Sequence, residues 1–361
     1  MKLRNINILF LTRTMGQGGT ENVIIQLCEI LNNKVGNIVV CSSGGYNVET
    51  LKQMNIKHYK IPDIASKTPK NMINTIKVLK NIIKKENINV IHSHHRMAAL
   101  YANLLSSGKI IKIANAHNTF YDKKLLTKIA YRDTLLIAVG MQVRNNLIEY
   151  YGISEKQITI INNSVKEAQI ENYKNTLINK YKNEGYTLVG NVGRLSEQKG
   201  MEYFIEAAYN LNKKNKDIKF FIIGTGEDEK KLKELVKMRG LQDDVFFMGY
   251  QKNVQSLMSQ LDFIVLSSLW EGFPLTPIEA FSVGKTIVAT NVDGTPEIVK
   301  NDENGLLINP KNIYELETSI YRLYSDKDLR HRLEVKAYQT YNEKFSFEEL
   351  SQNYIEFYKN I

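Results

Sequence analysis

Apolar residues in this chain fall into short continuous runs, separated by stretches in which they recur every three or four positions. In the first half the runs are Ile6–Leu11, Ile38–Cys41, Lys57–Ile61, Val90–Ser93, Ile110–Ala114, Leu135–Val139 and Ile158–Ile161. In the second half they are Tyr186–Val192, Lys219–Ile223, Val245–Met248, Phe263–Leu266, Thr286–Ala289 and Leu306–Ile308. Runs that are apolar throughout, rather than alternating, predict strands covered on both faces. Segments with helical spacing, such as Glu21–Leu31 and Asn71–Lys85, lie between several of them. Strand–helix–strand alternation requires crossover connections, and these produce parallel sheets.

The polar, Asn- and Lys-rich stretch Ser164–Gly185 divides the pattern and is expected to be a linker. The prediction is an α/β protein of two Rossmann-like, doubly wound domains, over residues 1–165 and 166–344. Tyr354, Phe357 and Tyr358 stand near helical spacing, so residues 345–361 are expected to form a helix that docks back on the first domain. Ligands of doubly wound sheets bind beyond the carboxyl ends of the strands. Two such domains with those ends facing each other would frame a central cleft, and function is to be sought in the loops that follow strands.

Composition narrows the class. The chain has 361 residues, 43% hydrophobic and 24% charged, which suits two globular cores. Its two cysteines, Cys28 and Cys41, lie in apolar runs without a partner at metal or redox spacing, so a reducing, cytoplasmic compartment is expected. The apolar stretch near the start is too short for a signal-peptide core or a membrane span. Charge is unevenly shared: residues 1–165 carry 22 Lys+Arg against 9 Asp+Glu, the remainder 26 against 29. This asymmetry has two readings, a polyanionic partner such as an anionic membrane surface, or a lysine-rich coding bias. Lys67–Glu86 repeats the choice, as a basic amphipathic helix for lipid or a crossover helix with a lysine-rich solvent face. Nucleic acid is not expected, because no aromatic–basic recognition motif accompanies the charge.

Candidate chemistry concentrates after the fourth run of the second half, in Ser267–Phe281. Thr276, Pro277 and Glu279 read as N-cap, first-turn proline and capping-box partner of a helix. Glu279 could simply hold that helix start. Glu271 precedes it with seven residues between, and the intervening amides lie at a helix N-terminus, which attracts anions. Free amides flanked by two carboxylates suit a ligand with both phosphates and hydroxyls. A nucleotide sugar is such a ligand.

Glu-x7-Glu in this setting resembles the signature of family 4 of the retaining glycosyltransferases, which adopt the GT-B architecture of two Rossmann-like domains. Further motifs in family order carry the resemblance: Gly193-Arg194-Leu195-Ser196-Glu197-Gln198-Lys199-Gly200, Gly224-Thr225-Gly226, Gly294-Thr295-Pro296-Glu297-Ile298-Val299 and Asn304-Gly305-Leu306-Leu307. In the first half, Gly18-Gly19-Thr20-Glu21 and the region of His117 add to it.

The resemblance implies that Glu279 binds ribose hydroxyls and Glu271 the donor sugar, within a loop made of Gly272, Phe273, Pro274 and Leu275. It implies that Arg194 and Lys199, framed by Gly193, hold the diphosphate and stabilise the departing nucleotide. Tyr250 would lie at the base, Gly224 beside the donor, Gly18 and Gly19 over the diphosphate, and His117 near the donor sugar. The expected reaction is retaining transfer of a sugar from a nucleotide-diphosphate donor, UDP-linked by family habit, to a hydroxyl of a glycan or lipid-linked acceptor. Cell-surface polysaccharide or glycoconjugate synthesis is the expected setting.

No metal or other cofactor is expected, because Arg194, Lys199 and helix N-termini can neutralise the diphosphate. Asp326-Lys327-Asp328 matches a metal motif by letters alone, and His92-Ser93-His94-His95 lacks partners at usual ligand spacing. The alternatives are a nucleotide-sugar epimerase or a sugar phosphorylase on the same architecture, and a non-catalytic nucleotide-sugar-binding or nucleic-acid-binding protein. Intact Glu271, Glu279, Arg194 and Lys199 argue against the last.

Overall fold

A computed structural model of the protein describes residues 2–105, 110–167, 175–214 and 217–361. It resolves into two compact units, Met1–Asn163 with Leu350–Ile361, and Ser164–Glu349.

The first unit is built on β1 (Asn7–Leu11), β2 (Asn37–Ser42), β3 (Lys57–Lys60), β4 (Val90–Ser93), β5 (Ile111–Ala116), β6 (Leu135–Ala138) and β7 (Ile158–Ile160). All pair in parallel, in the order β3-β2-β1-β4-β5-β6-β7. The central strands are buried along most of their length, as both-face coverage requires. Leu79 and Ile82 from helix Pro69–Lys85, and Ala98, Tyr101 and Ala102 from helix Arg96–Leu105, pack against Leu9, Leu11, Val39 and Ile91. The helix within Lys67–Glu86 thus commits most of its apolar face to the core and leaves Ile73 exposed among its lysines.

The second unit contains β8 (Thr187–Val192), β9 (Ile218–Ile223), β10 (Val245–Phe247), β11 (Phe263–Leu266), β12 (Ile287–Thr290) and β13 (Leu306–Ile308), again all parallel. Their order is β10-β9-β8-β11-β12-β13. Phe204, Ile205, Ala208 and Leu211 of helix Met201–Lys214 pack with Leu316, Ile320 and Leu323 of helix Ile313–Ser325 over Val189, Phe220 and Val265. Both strand orders grow outward in two directions from the first strand. Each sheet therefore has a switch point, between β1 and β4 and between β8 and β11, where crossovers leave in opposite senses and a crevice opens.

The segment expected to be a linker is only partly one. Residues 168–174 of it lie outside the described residues, but Thr176–Asn183 is a helix of the second unit, with Ile178 buried and Asn175 capping its start. One buried residue in eight is too weak a period to register against an Asn- and Lys-rich background. Cys28 and Cys41 are buried and unpaired, and burial pushes both thiols up. Among the described residues no helix is long and apolar enough to cross a membrane.

Candidate functional site

In the second unit the loops after β8 and β11 are stapled together at the switch point. Asn191 Nδ2 donates to Ser267 Oγ (2.9 Å), and Ser267 Oγ donates to the Lys199 carbonyl (2.9 Å). Gly200 takes φ 55°, and a Cβ there would lie 2.4 Å from the Ser267 carbonyl oxygen, so only glycine lets the loops meet. Leu195 is fully buried and anchors the first loop, which frees Arg194 to stand exposed and Lys199 to turn toward the second.

That second loop carries Glu271, 7% exposed, whose Oε1 receives the Lys199 ammonium and the Ser268 hydroxyl (2.6 Å). The Glu271 amide donates to Asp293 Oδ2 (2.7 Å), so carboxylate and backbone are both fixed. Asp293 and Ser268 carry no motif, and sequence reasoning missed both. Arg194 donates to Gln198 Oε1 (3.4 Å) and Gln198 Nε2 to the Trp270 carbonyl (3.0 Å), which leads Arg194 to the same loop.

The helix after this loop runs Leu275–Ser282 with Pro274 at its N-cap and no side chain capping it. The predicted cap is therefore corrected. Thr276 is inside the helix with its hydroxyl toward the Val192 carbonyl (3.5 Å), and Glu279 lies beyond the first turn, too deep to close a capping box. Glu279 is half-buried, and its carboxylate has no hydrogen bond or ion pair among the described residues. Desolvation pushes it up to about 7, against the opposing pull of the nearby Lys199 charge. Lys199 is thus common to both carboxylates: it pairs with Glu271 and acts through space on Glu279.

Other predicted residues are placed as follows. A Cβ at Gly193 would stand 3.2 Å from the Lys199 stem. Gly224 has φ 138°, and a Cβ there would stand 1.9 Å from the Gly193 oxygen, while its amide donates to the Gly249 carbonyl (2.9 Å). Its glycine is thereby accounted for by loop packing. Gly272 accepts from the Gly294 amide (3.1 Å). Phe273 is buried with its ring 6.0 Å from Phe345, which anchors the segment through Pro274 to Leu275. Tyr250 is exposed on the turn after β10. Asp326, the first aspartate of the Asp-x-Asp match, caps helix Lys327–Thr340 by accepting from the Leu329 amide (2.8 Å).

The first unit's switch point, and the ends of β4 and β5 beside it, have different chemistry. Gly18 is the extended N-cap of helix Gly19–Leu31, and the loop before it is braced by Thr14 Oγ1 donating to Glu21 Oε1 (2.6 Å). His92, His94 and His117, from the ends of β4 and β5, form a stack with ring centroids 4.6 and 5.5 Å apart. Desolvation drives His92 down to about 3 and His117 to about 4, and holds His94 well below its ordinary value, so all three are neutral at pH 7. His92 is saturated. Its Nε2–H donates to Asn115 Oδ1 (2.6 Å), since that oxygen can only accept, and its Nδ1 accepts from the Tyr358 hydroxyl (2.6 Å). Asn115 Nδ2 donates in turn to the Tyr354 hydroxyl (2.8 Å). Among the described residues no three His, Cys, Asp or Glu are grouped to hold a metal ion.

Comparison with known proteins covers nearly the whole chain. Residues 17–169 match the model of glycosyltransferase family 4, and residues 172–340 that of the glycosyl transferases group 1. The alpha-D-kanosaminyltransferase of Streptomyces kanamyceticus is 28% identical over 198 residues, 54% of this chain and 51% of that protein, so the match spans about half of that relative. The UDP-Gal:alpha-D-GlcNAc-diphosphoundecaprenol alpha-1,3-galactosyltransferase of Escherichia coli is 26% identical over 337 residues, 86% of each chain. The crystal structure of Anabaena Alr3699/HepE in complex with UDP superposes with a TM-score of 0.86 over 99% of this chain and 100% of that one, at 19% identity, which is a likeness of fold.

Proposed function

Because the chain belongs to the group 1 glycosyltransferases, with a family 4 first half, we propose that it transfers a sugar from a UDP-linked donor with retention of anomeric configuration. The observation that carries this reading is the unpartnered Glu279 carboxylate beside the Lys199–Glu271 pair, at the switch point of the second sheet. A carboxylate with free lone pairs in a poorly solvated place is matched by a ligand that brings hydroxyls, and a ribose diol brings two.

In this proposal the second unit grips the donor. Glu279 accepts from the ribose, Arg194 and Lys199 flank the diphosphate, and the uncapped start of helix Leu275–Ser282 offers amides to a phosphate or sugar oxygen. Glu271, held by Lys199 and Ser268, has a second oxygen for a donor-sugar hydroxyl. Breaking the sugar–phosphate bond moves negative charge onto the phosphate and partial positive charge onto the sugar. Prepositioned cations and amides lower that barrier without reorganising. The leaving phosphate, on the face it vacates, accepts the proton of the attacking hydroxyl, so donor and product share one configuration. Two side-chain cations suffice for the diphosphate charge, and chelator should leave the rate unchanged. Acceptor recognition falls to the first unit, with His117 and the Gly18–Gly19 loop contributing. The relative that acts on a diphosphoundecaprenol-linked sugar supports a lipid-linked acceptor for this chain as well. Such an acceptor and the basic excess of residues 1–165 favour work at the cytoplasmic face of a membrane.

The test is incubation with a panel of UDP-sugars and a polyprenyl-diphosphate-linked sugar, reading UDP release and the anomeric configuration of the product by NMR. An inverted product, or wild-type turnover in Glu279→Ala, would overturn the assignment.

A further inference from the structure

The chain passes between its two units twice, after Asn163 and after Glu349. On the second unit's side of these crossings the two joining segments are bound to each other. The Tyr341 hydroxyl, in a side chain buried from solvent, donates to the Val165 carbonyl (3.0 Å), and the Val165 amide donates to the Phe345 carbonyl (3.5 Å). The Lys166 ammonium stands 5.0 Å from the centre of the Phe347 ring. All of these residues lie inside the second unit.

Helix Leu275–Ser282, which carries Glu279, is tied to these segments at both of its ends. Its start has no side-chain cap, so packing must fix it. The buried ring of Phe273, just before the N-cap Pro274, lies 6.0 Å from the buried ring of Phe345, the last residue of the π-helical turn Tyr341–Phe345. At the other end stands Gln255 of helix Val254–Met258. Its Nε2 donates one hydrogen to the Lys166 carbonyl (2.9 Å) and the other to Ser282 Oγ (2.8 Å). Ser282 Oγ donates in turn to the Glu279 carbonyl (2.7 Å). One tie therefore comes from each joining segment, and the second reaches the backbone of Glu279 itself.

We propose that Phe345 and Gln255 are positioning residues for the donor: they hold helix Leu275–Ser282 on the paired joining segments, so that donor occupancy and the order of those segments are linked. The inference rests on the donor reading above and adds to it what holds the helix in place. A single tie would let the helix pivot about one end, whereas ties at both ends fix its direction. Linkage is reciprocal, so a ligand that orders the helix also orders the joining segments, and loosening either tie weakens the ligand. A helix that must be ordered on binding lowers the affinity by the cost of that ordering. Packing that served stability alone would leave the response to ligand untouched.

The experiment is hydrogen exchange of the full chain with and without saturating UDP, read at residues 194–199, 275–282 and 341–347. UDP should slow exchange in all three, by about five-fold or more in the last. In Gln255→Ala the slowing at 341–347 should be lost while that at 194–199 remains, and the affinity for UDP, measured by calorimetry, should fall about five-fold. Phe345→Ala should do the same, and Phe345→Leu, which keeps most of the buried volume, should restore most of the affinity. Where Phe345→Ala fails to fold, the half-buried, polar Gln255 carries the test alone. Undiminished slowing at 341–347 in Gln255→Ala, or wild-type UDP affinity in that variant, would overturn the linkage. Slowing at 194–199 and 275–282 with none at 341–347 in the unsubstituted protein sinks this inference and leaves the donor reading standing. No slowing at 194–199 or 275–282 sinks the donor reading itself.

Discussion

In both units the loops after central strands come together at or beside the point where strand order reverses, yet the two meeting points are furnished in opposite ways. The second unit places a buried ion pair there, Lys199 with Glu271, and an unpartnered carboxylate, Glu279. The first places three stacked neutral imidazoles beside it, at the ends of β4 and β5. The same position in a doubly wound unit is thus furnished with charged groups in one case and with neutral donors and acceptors in the other. The backbone supplies the position and the side chains decide what it recognises.

The largest effect should come from the second unit's cations. Arg194→Ala and Lys199→Ala should each lower the transfer rate by about 100-fold or more, the cost of losing one preplaced donor. Only one of the two should also cost stability. Lys199→Ala leaves Glu271 buried without its cation, for a loss of about 3 kcal/mol in denaturant unfolding. Arg194 is exposed, and its removal should leave the unfolding midpoint in place. Equal loss of stability in both variants would break the distinction between a holding and a reaching cation.

The first unit's counterpart is His92→Phe, which leaves Asn115 Oδ1 and the Tyr358 hydroxyl without their partner and should cost about 2 kcal/mol. Donor affinity should stay unchanged. Weaker UDP binding in this variant would show that the two regions are not separable.

The comparison is sharpened by pH, because the two regions respond in opposite directions. His92 is lowered from 6.5 to about 3, so its contribution to stability is complete above pH 6.5 and is lost as pH falls toward 3. Glu279 is raised from 4.5 to about 7, so its contribution is complete below pH 4.5 and is lost as pH rises through 7. Hydrogen exchange at pH 5 should accordingly show less protection around β4 and β5 than at pH 7, and more around the start of helix Leu275–Ser282. The smallest expected effect is on ligand affinity. Hydroxyls bind the ionised Glu279 better, so affinity for a UDP-sugar, whose own charges are constant in this range, should rise about ten-fold between about pH 6 and about pH 8. Glu279→Gln should flatten the rise.

Much of this was legible in the sequence, and what was not has a physical reason. The central strands were readable because strands covered on both faces are apolar at nearly every position. Glu271 and Glu279 stood out by their spacing in a Gly- and Pro-rich loop, and Arg194 and Lys199 only through the family motif that contains them; the structure brings the four into neighbouring loops. The start of helix Leu275–Ser282 was misjudged because Thr276 and Glu279 satisfy the letters of a capping box, while the Thr276 hydroxyl turns toward the end of β8. Asp293 and the partner of His92 were invisible for another reason. Their bonds join residues 22 and 266 positions apart, and no local pattern encodes a pairing of that range.

The bonds from Tyr354 and Tyr358 also order events during synthesis. Residues 350–361 belong to the unit made first, although all of the second unit is translated between them. At about 5–20 residues per second, the ribosome takes on the order of 10–40 s to make that intervening stretch. Throughout the interval a nearly finished sheet holds His92 and Asn115 without their phenol partners. The earliest-made unit should therefore be the last to reach full rigidity, and a chaperone that shields its open face would act in that window.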